Sequence, residues 1–114
     1  MKKIFFGFAL ADSMFAGACS ILRTSLSAEE AKSLVEQGVE SCCNPSHMAT
    51  INAMRQRFGI DVPIPETPPK VVLEAGSSIL VLGIRGLPRL TDRHEYTNEE
   101  VASATFSFNL YTVL

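Results

Sequence analysis

Met1-Lys2-Lys3-Ile4-Phe5-Phe6-Gly7-Phe8-Ala9-Leu10 opens the chain, and the fold turns on how this stretch is read. Two lysines before a short apolar run mimic a secretory signal, and Ala16-Gly17-Ala18-Cys19 mimics a lipoprotein cleavage site. Asp12 and Ser13 break the run, however, leaving a continuous apolar core of about seven residues, the bottom of the range for such signals. Lys3 to Ala9 is therefore read as a buried first strand in a cytoplasmic protein, with export as a lipoprotein through Cys19 as the alternative. No other run is long enough to span a membrane.

Working outward, Ala11 to Thr24 reads as a long connection of small residues with little periodicity. Ser27-Ala28-Glu29-Glu30 is a capping box that opens a helix burying Ala31, Leu34 and Val35, with Gly38 as its stop. Val39 to Cys43 reads as a short strand before the Asn44-Pro45 break. A second helix spans Ser46 to Phe58, with Ile51, Met54 and Phe58 on one face, Arg55 to Arg57 on the rest, and Gly59 ending it. Prolines between Ile60 and Pro69 enforce an extended connection. Lys70 to Glu74 and Ser78 to Ile84 flank Ala75-Gly76-Ser77 and read as a hairpin. A loop follows from Gly86, and Thr97-Asn98-Glu99-Glu100 is a second capping box opening a short helix. Phe106, Phe108 and Leu110 alternate with Thr105, Ser107 and Asn109, the pattern of a strand covered on one face. The expected class is α/β: one domain over residues 1–114, with a mixed sheet of about five strands flanked by about three helices.

At 114 residues the chain is sized for one domain, and 46% apolar with 19% charged residues is a globular composition. A formal net charge of −2 disfavours broad binding to duplex nucleic acid, so a nucleotide ligand would have to be small and locally held. A domain of this size with a sizeable apolar face commonly pairs about a two-fold axis. Cys19, Cys42 and Cys43 are odd in number and lack C-x-x-C spacing, so neither a disulfide framework nor a zinc site is expected. They are read as small buried residues in a reducing compartment. No cofactor motif is present.

Chemistry points to His47. It stands at a helix start, where unpaired backbone N–H groups and the helix dipole favour a phosphate, with the Ser46 and Thr50 hydroxyls at the same end. An imidazole there can protonate a departing 5′ oxygen when a neighbouring 2′-hydroxyl attacks the phosphorus, a step worth about 100- to 10,000-fold. Arg85 and Arg89, in the loop after the long strand, can clamp phosphate or stack on a purine. His94, among Asp92, Arg93 and Glu95, reads as a surface residue. Opposed to this is the plain reading that His47 only caps its helix and the chain is a protein-interaction module.

Ser46-His47-Met48-Ala49-Thr50, the helix end at Gly59-Ile60, Arg85-Gly86-Leu87-Pro88-Arg89, Thr97-Asn98-Glu99-Glu100 and the strand from Phe106 to Leu114 fall in a telling order. In that layout the chain resembles the viral type III anti-CRISPR ring nucleases and their bacterial relatives, over almost its whole length. The resemblance implies a homodimer that binds cyclic tetra-adenylate across its two-fold axis and cuts it by 2′-hydroxyl attack without metal or cofactor. His47 would be the general acid, with Ser13, Ser46, Thr50, Arg85 and Arg89 as ligand contacts. The products would be linear di-adenylates with a cyclic phosphate end, and type III CRISPR signalling would be silenced in the host-cell cytoplasm. The chain departs from the family pattern at Phe8, where an asparagine is expected, and at Ala11, where a serine is expected and Ser13 stands near. Gly86 and Arg89 occupy the family's arginine and glutamate positions. Those departures motivate a second expectation, a sponge that sequesters a cyclic or other signalling nucleotide without cutting it.

Overall fold

The computed structural model describes residues 4–43, 47–67, 69–85, 99–100 and 104–114. Its elements run β1 (Ile4–Gly7), a 3-10 turn (Asp12–Met14), β2 (Ile21–Leu26), α1 (Ala28–Gln37), β3 (Glu40–Ser41), α2 (Met48–Phe58), β4 (Ser78–Arg85) and β5 (Thr105–Val113). The strands form one mixed sheet in the order β2-β5-β4-β1-β3. β1 pairs parallel with both β3 and β4, while β5 pairs antiparallel with β4 and β2. The class is α/β, as expected.

β1 is a central strand buried on both faces, which is why it reads as an unbroken apolar run. Phe6, 0% exposed, points into a core with Leu80, Leu82 and Phe108 that α2 closes with Ile51 and Met54. Phe5, 3% exposed, points the other way, against Ile79, Val71, Leu73 and Val113. The sheet therefore has two apolar layers, one beneath the helices and one beneath the extended chain around Val71 and Leu73.

Local signals set both helices. Ser27 Oγ accepts from the Glu30 N–H at 3.1 Å, and the Ser27 N–H donates to Glu30 Oε1 at 2.9 Å, so α1 opens on a complete capping box. Gly38 leaves α1 at φ 115°, and Gly59 ends α2 at φ 70°, conformations that glycine adopts without strain. α2 begins at Met48 with His47 as N-cap, two residues later than the sequence implies. Glu99 and Glu100 are helical, and the rest of the third expected helix lies outside the described residues.

Three expectations are corrected. The stretch Ala11 to Thr24 is not all connection, because it contains most of β2. That strand occupies a sheet edge with little covering it, leaving Ile21 42% and Leu22 53% exposed, so it lacks the alternation of a half-buried strand. Lys70 to Glu74 does not form a hairpin with β4. Both edges of β4 are already taken, by β1 and β5, and the segment keeps one isolated parallel bridge, Leu73 to Phe15. Its Val71 and Leu73 side chains instead cover the sheet face beneath them. Finally, the cysteines are not uniformly buried: Cys43 is buried, Cys42 is half-buried and Cys19 is exposed. No helix among the described residues is long and apolar enough to cross a membrane.

Candidate functional site

β1, β3 and β4 all run the same way, so their carboxyl ends make one rim, the usual place for a ligand crevice in a parallel sheet. α2 follows β3 and presents its N-terminus there. The N–H groups of Met48, Ala49 and Thr50 have no i−4 carbonyl within the helix. His47, the N-cap, does not use its side chain to cap the helix. Its ring lies on Phe8, just past the end of β1, with centroids 4.3 Å apart and planes tilted by 40°. Phe8 in turn meets Phe6 edge-to-face at 5.8 Å. A chain of three rings thus ties the imidazole to the core.

His47 is half-buried, and loss of solvent pushes its pKa below the usual 6.5. The free protein at neutral pH therefore holds a mostly neutral imidazole. A phosphate seated at the N-terminus of α2 would pull the pKa back up, because the anion favours imidazolium. Thr50, one turn in, is only 9% exposed, which leaves little of it open to a ligand. Ser13 is exposed on the 3-10 turn. Ser46 and Arg89 lie outside the described residues, as does His94.

The structure sets Arg85 apart from His47. Gly7 pairs with Val81, so Arg85, four residues further on, reaches about 10 Å beyond the level of Phe8. There it lines a notch of about 500 Å³ together with Arg23, Ser25, Ser107 and Phe58, a lining that does not include His47. Arg23 escaped the sequence reading because it lies in the stretch taken for connection. The only signal was the weak alternation of Arg23 and Ser25 with Leu22, Thr24 and Leu26.

Cys42 and Cys43, which follow β3 towards His47, offer no competing nucleophile. Burial, with Cys43 and Glu40 adding to it, pushes the Cys42 thiol up to about 11, and burial raises Cys43 as well. Among the described residues no group of three or more His, Cys, Asp or Glu side chains could hold a metal.

Neither a protein-family model nor a curated protein sequence matches the chain. Its fold is similar to that of B116 of Sulfolobus turreted icosahedral virus, a solved structure. The match has a TM-score of 0.65 over 96% of this chain and 98% of that one, at 17% sequence identity. A likeness at that identity speaks for the fold alone.

Proposed function

We propose that this chain is a phosphodiesterase that opens a cyclic oligoadenylate messenger without a metal, with His47 as proton donor. The observation that carries the reading is the placement of His47: an imidazole at the opening turn of α2, on the carboxyl rim of three parallel strands. A bridging phosphate of the ring would sit on the amides of Met48 and Ala49. The ring's own 2′-hydroxyl, losing its proton to solvent, would attack that phosphorus. The P–O5′ bond would break, the imidazolium of His47 would deliver its proton to the departing oxygen, and a 2′,3′-cyclic phosphate would remain. Phe8 would fix the ring plane of His47. A homodimer would present two such centres to a ring of matching symmetry, cutting it into linear di-adenylates. Family layout, cited above as a resemblance, supports cyclic tetra-adenylate as the ligand and silencing of type III CRISPR signalling as the outcome.

The test is incubation of the protein with cyclic tetra-adenylate in EDTA, followed by chromatography. Linear di-adenylates from the parent protein, and a loss of 100-fold or more in His47→Ala, are expected. Intact ring at excess protein would refute catalysis.

One observation favours a second reading, a sponge. Burial lowers the pKa of His47, which disfavours the acid form that cleavage needs. Calorimetry with cyclic tetra-adenylate separates the two: tight binding with no product is the sponge.

A further inference from the structure

We infer that the notch between β2, β5 and the start of α1 is a binding site for a short linear single-stranded oligonucleotide, separate from His47. The notch exists because β2 stops at Leu26, opposite Phe108, while β5 continues outward to Thr105 alongside β4. Beyond Leu26 the chain turns into α1, and among the described residues β5 has no outer neighbour over its first three residues.

Charge sets the ligand's sign. The chain has 12 acidic and 10 basic residues, yet among the described residues the notch is lined by Arg23 and Arg85 and by no Asp or Glu. Two cations, with no carboxylate among the described lining residues, make a local positive site on an acidic protein. Hydroxyl and amide donors lie between them. Ser25 Oγ donates to Asn109 Oδ1 at 3.0 Å, which leaves the Asn109 NH2 group to donate elsewhere. Arg23 Nε donates to the Tyr111 hydroxyl at 3.2 Å, a bond that uses one of the five guanidinium N–H groups.

Spacing sets the ligand's length. Arg23 is level with Tyr111 and Arg85 with Thr105, six residues apart on β5 and two strands apart across it. Their Cα positions are therefore about 20 Å apart, and two arginine side chains do not close that gap on one phosphate. An anion with charges at separate points along its length satisfies both. The back wall supplies the remaining requirement. Phe58 and Phe106 line the notch with ring centroids 5.7 Å apart. The Arg57 guanidinium lies 5.1 Å from one ring centroid and 4.7 Å from the other, holding the wall in place. By strand alternation Arg23 and Arg85 share the Thr105-Ser107-Asn109 face, and the two rings lie on the helix side. A single strand would therefore wrap the bare edge of β5, with phosphates on the arginines and bases at the rings. The volume of about 500 Å³ lies within the range of nucleotide-sized pockets.

These observations stand apart from the His47 reading, and the test separates the two. The probe is the linear dinucleotide pApA, titrated into the isotope-labelled full chain at low salt with amide shifts as readout. Shifts at Ser25, Ser107 and Asn109 are expected. Arg23→Gln and Arg85→Gln, each with an unchanged melting temperature, should each weaken pApA about tenfold and lower its salt slope by about 0.7. Adenosine, which lacks phosphate, should bind more weakly than pApA and be indifferent to both substitutions. Shifts confined to His47 and Met48 would overturn the inference while leaving the phosphodiesterase reading intact. No shift up to millimolar pApA, or folded arginine variants that bind like the parent, would also overturn it. Conversely, notch binding without any ring cleavage would uphold it and refute catalysis.

Discussion

Truncating Phe6 and Phe5 in turn separates what β1 does for the fold from what it does for the site. Phe6 is wholly buried under the helices, and Phe5 is almost as buried on the opposite face of the same strand. Each change to alanine removes a fully enclosed ring, a loss of about 3–5 kcal/mol in a core that relaxes only partly. With a urea m-value of about 2 kcal/mol per molar, each midpoint should fall by about 2 M. The variants should therefore cost alike in stability yet differ at the rim. Phe6 supports Phe8 edge-to-face, and Phe8 carries the His47 ring, whereas Phe5 faces away from that stack. In Phe6→Ala the imidazole should gain solvent and its pKa move up towards 6.5, while Phe5→Ala should leave it depressed. Urea denaturation followed by circular dichroism gives the first quantity, and NMR titration of the His47 ring protons gives the second. A loss under 1 kcal/mol for either variant would refute the central-strand account. Equal pKa values in the two variants would refute the three-ring support of His47.

Ser27→Ala removes one half of the α1 capping box and should cost about 1 kcal/mol, read as a lowered urea midpoint. Because the folded pKa of His47 lies below its unfolded value, the unfolded chain binds more protons between those two values. His47 therefore contributes full stability above about pH 6.5 and loses it as pH falls through the folded pKa, a slope that His47→Gln should flatten in pH-dependent melting. Thiol titration with a disulfide reagent at pH 8 should find Cys19 fast, with Cys42 and Cys43 slow until the chain unfolds.

Much of the fold was legible because it rests on local chemistry. The Ser27 and Glu30 side chains, and the glycines at 38 and 59, mark helix ends that no packing partner needs to specify. The run around Phe5 and Phe6 announced a two-sided strand, and alternation through Phe106 and Phe108 announced a one-sided one. β2 was not legible, since an exposed edge strand takes its structure from backbone pairing with β5 rather than from its own side chains. The hairpin expectation failed for a related reason. Sequence proximity favoured Lys70 to Glu74 as the partner of β4, whereas the distant β1 and β5 fill both of its edges. For the site, His47 at a helix start could be read directly. Its contact with Phe8, and the union of Arg85 with Arg23, depend on strand order and were invisible in the sequence.

Single-turnover cleavage of cyclic tetra-adenylate in EDTA, compared between the parent chain and His47→Ala across pH 5 to 8, tests the central claim most directly. The account predicts linear di-adenylates from the parent and a loss of at least about 100-fold in the variant. Equal rates for the two proteins, or a ring left whole by both, would contradict it.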